Sequence, residues 1–230
     1  MSASTCSLCA LVKSSIGRKF IVAITGLALV LFLAGHLSGN LLIFVGPDAF
    51  NEYAEFLHTF LHGAGVWIAR IGLLVCLLLH VVFTISLTRE NRAARTKYAH
   101  EATVQATKSS RLMIWSGLTI LAFVVYHLLH FTVRIDDHLA QLGETSPWHM
   151  VIAGFQHPVV VAFYILAMTL LCSHLSHGVS SIFQTLGLRT KKTAKPIAFF
   201  SKAYSLVIYV GFISIPIAIL IFGYGCGTCH

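Results

Sequence analysis

The sequence predicts an all-α membrane protein, a bundle of five transmembrane helices with its N-terminus cytoplasmic and its C-terminus outside. The 230 residues are 57% hydrophobic and only 10% charged, and the mean hydropathy of +0.81 is far from that of soluble proteins. Five apolar stretches are long enough to cross a bilayer, which takes about 20 helical residues. We therefore expect one integral membrane domain over residues 1–230.

The connections between the apolar stretches support this division. They carry turn formers and charges, as in VGPDAFNEYAEF and GLRTKKTAKP, which do not continue an apolar span. The first stretch lacks an A-x-A cleavage site and is longer than the core of a secretory signal, so we expect it to be retained. The predicted helices cover about residues 20–45, 64–88, 111–135, 154–183 and 203–224.

The distribution of charge predicts the orientation. Of the 16 Lys and Arg residues, all but Arg70 and Arg134 flank the helices on one side, and cytoplasmic loops of membrane proteins collect basic residues. The net charge of +8 therefore reports topology and argues against nucleic acid binding. The same basic side is suited to docking an acidic cytoplasmic partner.

Two C-x-x-C pairs lie near the ends of the chain. The sequence closes with CGTCH, and C-x-x-C-H is the pattern of covalent c-type haem attachment. No residues follow to supply a second axial ligand, so at Cys226, Cys229 and His230 we expect a local disulfide, metal capture or an inert tail ahead of a c-type haem. Cys6 and Cys9 are expected on the opposite side of the membrane, so the two pairs cannot share one zinc site.

Histidines inside the spans are the candidate functional residues. Ionisable side chains at membrane depth are costly and usually mark a function. One such histidine could merely satisfy a neighbouring carbonyl or hydroxyl, but histidines in four spans favour cofactor binding. His130 and His177 share a helical face with two of them and are alternatives. The four are His36, His80, His127 and His174.

Depth separates these histidines into two levels. With a rise of about 1.5 Å per residue, His36 and His127 each lie roughly 25 Å from the inner basic flank, in the outer half of the membrane. His80 lies ~14 Å from Arg89, and His174 lies at a similar depth. Two pairs at two levels match the requirement of two haems with bis-histidine ligation. A single metal site would use one level, a proton relay would use carboxylates that the spans lack, and depth favours His127 over its neighbour.

Arginines and small residues at the same depths support a haem interpretation. By depth, Arg70 and Arg134 suit the propionates of an outer haem, and Arg89 and Arg18 suit those of an inner one, although arginines also snorkel to the membrane surface. Small residues beside the histidines would leave room for a flat macrocycle, or would only allow close helix packing. They are Gly35, Ser38, Gly39 and Gly178.

In this order on successive segments, GHLSGN, GPDAFNEYA, LLHVVF, FVVYHLLHF and SHLSHG resemble a known family. It is the cytochrome b membrane-anchor subunit of succinate dehydrogenase and fumarate reductase, of the type with one polypeptide, five helices and two haems b. The resemblance covers Ser15–Phe222. It implies His36 and His127 as axial ligands of the outer haem and His80 and His174 as ligands of the inner haem.

The resemblance also implies partners and an activity. A flavoprotein subunit would oxidise succinate, an iron–sulfur subunit would dock on the cytoplasmic face, and electrons would pass through the haems to a quinone, usually menaquinone. The chain has no flavin motif or iron–sulfur cysteine run, so the dicarboxylate site would belong to other subunits. Such a subunit lies in the bacterial inner membrane, in a complex that can form higher oligomers. The alternatives are a haem b anchor of a formate dehydrogenase or hydrogenase, and a non-enzymatic transporter or scaffold.

The resemblance places the quinone site near the outer haem. Glu52, Glu55, His58 and His62 could exchange protons there, or could form the polar face of a solvated amphipathic helix. Asn40, one turn beyond the first histidine, could donate a hydrogen bond to a quinone carbonyl or could cap the neighbouring backbone.

Overall fold

The computed structural model describes residues 12–93 and 108–228 of the chain. Within these ranges the backbone forms helices joined by turns, and no strand occurs. Two residues of the terminal CGTCH motif, both residues of the N-terminal cysteine pair and two of the basic residues used for orientation lie outside the described part. They are Cys229, His230, Cys6, Cys9, Arg95 and Lys97.

Five of the described helices are long and apolar enough to cross a membrane, as the sequence predicts. These are α1, α3, α4, α7 and α8, whereas the other three are short and lie in the connections. In chain order the helices are α1 (Ser15–Leu41), α2 (Pro47–Thr59), α3 (Ala64–Ala93), α4 (Lys108–His127), α5 (Asp137–Thr145), α6 (Pro147–Gly154), α7 (Pro158–Thr185) and α8 (Ala194–Phe222).

Most helix ends differ from the prediction by a few residues, and three of them have a clear local feature. The fourth spanning helix begins at Pro158 and not at residue 154, because proline suits the first helical turn, where no backbone N–H is needed. The fifth begins at Ala194 rather than 203, since Lys195 and Lys202 interrupt the apolar run in its first turns. The third passes from α4 into a π-helical turn, Leu128–Val133, and stops at Arg134, whose φ is 58°.

The four helices that carry the candidate histidines form a ring. α1 contacts α3 and α7, α4 contacts α7 and more sparsely α3, and α8 packs outside the ring against α7 and α1. The buried side of α7 includes Val161 and Ala167, whereas Leu31, Ile71 and Phe222 on the other helices are exposed. Large exposed apolar side chains are expected where helices face lipid.

Hydrogen bonds tie the connections together at one end of the bundle. The Ile43 carbonyl accepts from Trp148 Nε1 at 3.0 Å and from the Tyr224 hydroxyl at 2.9 Å. The Asn51 side chain donates to Ser146 Oγ and accepts from the Trp148 backbone N–H, both at 3.0 Å. The end of α1, helices α2 and α6 and the segment after α8 therefore form one fixed cap.

Replacing Trp148 with alanine is expected to destabilise this cap. Trp148 is only 4% exposed, and removing a buried tryptophan side chain costs about 3–5 kcal/mol. The variant should lower the thermal unfolding midpoint of the detergent-purified protein. Trp67→Ala is the matched control, because Trp67 is 60% exposed and should tolerate the change. Equal losses in both variants would contradict the assignment of this end as a packed cap.

Candidate functional site

The first candidate pair lies between α1 and α4. The ring centres of His36 and His127 are 5.9 Å apart and the ring planes are almost perpendicular, at 82°. His36 stacks on Phe32 at 5.1 Å, and His127 stacks on Phe123 at 5.8 Å. Because a metal–imidazole bond is about 2 Å long, two such rings can bind one metal between them. We name His36 and His127 the outer pair, after the predicted orientation.

A tyrosine that the sequence analysis did not single out contacts the outer pair. The Tyr164 hydroxyl on α7 lies 3.2 Å from Nδ1 of His127 and 3.0 Å from Nδ1 of His130. A tyrosine deep in an apolar span needs a hydrogen-bond partner. This requirement is the feature of the sequence that could have pointed to Tyr164. Which partner it meets depends on how α7 and α4 pack.

The second candidate pair, His80 on α3 and His174 on α7, we name the inner pair. The two helices that carry them both pack against α1. Nδ1 of His80 is 3.2 Å from the Val22 carbonyl oxygen and 3.3 Å from Thr25 Oγ1. A carbonyl only accepts, so Nδ1 of His80 carries the proton. In a neutral imidazole the other nitrogen, Nε2, then keeps its lone pair.

The other member of the inner pair has the same arrangement. Nδ1 of His174 lies 3.4 Å from Ser116 Oγ, and that hydroxyl already donates to the Met113 carbonyl at 3.0 Å. The hydroxyl has one proton, so its oxygen accepts from Nδ1 of His174. No hydrogen bond to Nε2 of either inner histidine occurs in the described ranges. Both inner nitrogens are therefore free to bind a metal, and neither Thr25 nor Ser116 was identified from the sequence.

Glycines bring the helix backbones close to the inner pair. A Cβ at Gly26 would lie 3.1 Å from Cε1 of His80, and a Cβ at Gly117 would lie 3.4 Å from Cε1 of His174. By contrast, nothing lies within 4 Å of a Cβ built at Gly35 or Gly178. Of the small residues predicted to leave open space, Gly35 and Gly178 do so, whereas Gly39 packs against Tyr53. Gly26 and Gly117, which contact the histidine rings, were not predicted.

A polar group and a cleft lie one to three turns beyond His80 on α3. The Thr84 hydroxyl is buried and has no hydrogen-bond partner in the part of the chain that the structure describes, which is unusual for a buried polar atom. Further along α3, a cleft of about 260 Å³ lies between α3 and α4. Its polar lining includes Arg89 and Arg92, and its apolar lining includes Trp115. Of these, only Arg89 was predicted as a site residue.

The other three predicted arginines are placed differently. Arg18 forms an ion pair with Glu90 at 2.6 Å and donates to Ser86 Oγ at 2.8 Å, so it links α1 to α3. Arg70 lies over the ring of Trp67 at 5.3 Å, and both side chains are exposed. The Arg134 side chain packs against Gly143 in α5. Of the four predicted arginines, Arg89 is the one that lines the cleft between α3 and α4.

The predicted quinone residues are spread over α2 and the turn after it. Glu52, Glu55, His58 and His62 are all exposed, and His58 Nδ1 donates to the Ala54 carbonyl at 2.8 Å.

Two residues closer to the outer pair are placed differently. Asn40 Nδ2 donates to the His36 backbone carbonyl at 2.7 Å and lies 3.3 Å from Nδ1 of the His36 ring. Asn40 thus caps the neighbouring backbone. The α2 side chain that faces α1 is Tyr53, because a Cβ at Gly39 would lie 2.5 Å from its Cε1. The sequence analysis missed Tyr53.

Among the described residues no three His, Cys, Asp or Glu side chains cluster as a metal-ion site. Cys76, Cys172 and Cys226 are free thiols, and Cys226 Sγ lies 3.8 Å from the Ile219 carbonyl. No protein-family model, curated protein or solved structure matches this chain. The chemistry available to the site is therefore that of its two histidine pairs. Each pair offers two nitrogen ligands in an apolar surrounding.

Proposed function

We propose that the chain is the dihaem cytochrome b anchor of a succinate:quinone oxidoreductase. It would pass electrons between an iron–sulfur subunit on the cytoplasmic side and a quinone, expected to be menaquinone, in the bacterial inner membrane. The observation that carries the proposal is the outer pair, whose ring centres lie 5.9 Å apart, together with two inner histidines whose Nδ1 atoms are engaged and whose Nε2 atoms make no hydrogen bond within the described ranges.

Two protein ligands at each level favour haem over a protein-only metal site. Structural zinc takes four protein ligands, whereas haem iron takes four nitrogens from the porphyrin and needs only two axial ligands. The inner histidines contact Gly26 on α1 and Gly117 on α4, each ten residues before an outer histidine, which supports two levels about 15 Å apart along the helices. The unpaired Thr84 hydroxyl, one turn from His80 on α3, and Arg89, further along the same helix, are donors that would suit the carboxylates of the inner haem.

The residues of the chain would do three things. The histidines would bind the two irons through Nε2, and their Nδ1 contacts with Val22, Thr25 and Ser116 would hold the inner rings in the binding tautomer. The apolar ring of helices would keep water away from both levels. Arg89 would neutralise carboxylate charge near the inner face. When bound, each haem supplies reversible one-electron transfer.

The quinone would bind near the outer pair. Tyr53 lies against Gly39, one turn beyond His36, and its hydroxyl makes no hydrogen bond within the described ranges, so it is added to the candidates as a donor to a quinone carbonyl. Glu52, Glu55, His58 and His62 on the exposed side of this region would exchange protons with water. Asn40 would chiefly stabilise the backbone at His36.

Purification in mild detergent, with identification of the co-purifying subunits, tests the proposal. We expect a flavoprotein and an iron–sulfur protein, reduced-minus-oxidised bands of haem b, and quinone reduction that depends on succinate. Haem b with formate dehydrogenase or hydrogenase subunits would replace the proposal with the first alternative. An absence of haem bands would favour a transporter or scaffold.

Replacing Gly26 with valine is expected to disturb the inner haem. A Cβ at this position lies 3.1 Å from His80, so two further methyl groups must displace the imidazole from its Val22 and Thr25 contacts. The variant should lose much of the inner haem, measured as haem per polypeptide. Gly72→Val in exposed surface of α3 is the matched control, since nothing lies within 4 Å of a Cβ there. Normal haem content in the Gly26 variant would contradict the assigned contact.

A further inference from the structure

Tyr164 occupies a position that the proposed function does not yet explain. Its side chain is 6% exposed, and its single hydroxyl lies within hydrogen-bond distance of His127 Nδ1, at 3.2 Å, and of His130 Nδ1, at 3.0 Å. His127 is the last residue of α4, and His130 lies three residues further, in the π-helical turn. One tyrosine of the neighbouring helix thus bridges the proposed outer ligand and the alternative ligand that the sequence left open.

The number of protons limits how this bridge can form. A tyrosine hydroxyl donates one hydrogen bond and accepts others, and each neutral imidazole has one protonated nitrogen. Tyr164 can therefore donate to only one of the two Nδ1 atoms, and the other Nδ1 must donate to the tyrosine oxygen. The histidine that donates from Nδ1 has a free Nε2, whereas the one that accepts at Nδ1 is protonated at Nε2 and cannot bind a metal there.

The position of His36 distinguishes the two histidines. Its ring centre is 5.9 Å from that of His127, whereas His130 packs on Phe131 at 4.1 Å and near Phe155 at 6.4 Å. The member that faces a second imidazole across the bundle is therefore His127. Accordingly, His127 donates from Nδ1 to Tyr164, and the Tyr164 hydroxyl donates to His130.

Aromatic neighbours hold the tyrosine ring in place. The ring planes of Phe155 and Phe123 are almost perpendicular to that of Tyr164, with centres 4.8 and 5.0 Å away. Edge-to-face packing of this kind is favourable and specific in geometry. The hydroxyl is therefore presented to α4 in a defined direction.

We propose that Tyr164 is a positioning residue for the outer haem. Its oxygen accepts from Nδ1 of His127 and so keeps Nε2 of that histidine directed at the iron, while His130 acts as the acceptor that orients the hydroxyl. This inference rests on the proposed function. A hydrogen bond accepted from the rear nitrogen makes a histidine ligand more basic, so Tyr164 lowers the reduction potential of the outer haem.

A redox titration of the purified complex followed by haem absorbance tests this role. Tyr164→Phe should retain both haems and raise the potential of the outer haem alone, by up to about tenfold in the one-electron equilibrium, or about 59 mV. His130→Ala should shift the same haem in the same direction by less, because it removes only the acceptor of the hydroxyl. The haem that shifts should be the one that is lost in His36→Ala.

Ser116→Ala provides the matched control at the other level. It removes the hydroxyl that accepts from His174, so it should raise the potential of the inner haem and leave the outer one unchanged. Unchanged potentials in Tyr164→Phe would overturn the positioning role. Loss of the outer haem in His130→Ala would show that His130 is the ligand, and would overturn it as well. If Tyr164→Phe fails to assemble, the titration of His130→Ala tests the positioning role instead. A wild-type protein without haem would refute the proposed function itself.

Discussion

His36→Ala and His127→Ala are each expected to abolish the outer haem and spare most of the inner one. The two imidazoles are the only histidine rings of α1 and α4 that face each other, 5.9 Å apart, and an iron that loses one axial histidine loses half of its protein ligation. Haem per polypeptide, measured as the pyridine haemochrome, should fall from two to one. One of the two steps in a redox titration should disappear.

Two observations would contradict this expectation. A variant of the outer pair that selectively loses the inner haem would show that the pairing is wrong. Retention of both haems would show that another residue binds the outer iron. His149→Ala is a suitable control, because His149 is bonded to Ser146 at 2.8 Å in the cap and should not affect haem content.

His80→Ala and His174→Ala are expected to have the larger effect on electron transfer. Each should remove the inner haem, which in the proposed complex lies between the iron–sulfur subunit and the outer haem. Succinate should then fail to reduce the remaining outer haem at a normal rate, although dithionite still reduces it. Stopped-flow absorbance of the complex with its flavoprotein and iron–sulfur subunits measures both rates.

Comparing reduction by succinate with reduction by dithionite shows whether the lost haem lies on the path of electrons or the remaining haem is itself damaged. Slow reduction by succinate alone places the lost haem on the electron path. A normal rate of reduction by succinate in either variant would contradict the proposed order of the two levels. The His149→Ala variant, whose change lies in the cap at Ser146, serves as the control and should transfer electrons through both haems.

The sequence predicted the features that follow from the length of an apolar stretch and from the free-energy cost of an ionisable side chain in the membrane. Five apolar stretches predict five spanning helices because the bilayer has a fixed thickness. His36, His80, His127 and His174 stand out because an ionisable side chain in a span is expensive. The constant rise of a helix predicts two levels for them, and the structure brings the rings of His36 and His127 to 5.9 Å of each other.

The residues that support the histidines could not be found in this way. Tyr164, Thr25, Ser116 and Gly26 matter only because of the helix that each one faces, and that depends on the rotation and crossing of packed helices. Between helices in lipid, packing and hydrogen bonds decide these contacts, and hydropathy carries little information about them. Arg18 illustrates the same limit, because its pairing with Glu90 follows from the contact of α1 with α3.

In the proposed quinone region, the residues that the sequence pattern indicates also differ from the residue that contacts α1. Charge and amphipathic pattern drew attention to Glu52 and Glu55, which the structure leaves exposed. The side chain that reaches α1 is Tyr53, and only the absence of a Cβ at Gly39 permits that approach. A close contact of this kind depends on the short turn between α1 and α2, which the pattern of apolar residues does not report.

The most direct test of the central proposal is the haem content of the purified chain, measured together with a potentiometric titration. Two non-covalent haems b per polypeptide, reduced in two resolved steps that are lost separately in variants of the outer and inner pairs, are the predicted result. One haem, no haem, or two haems that survive replacement of all four histidines would contradict it.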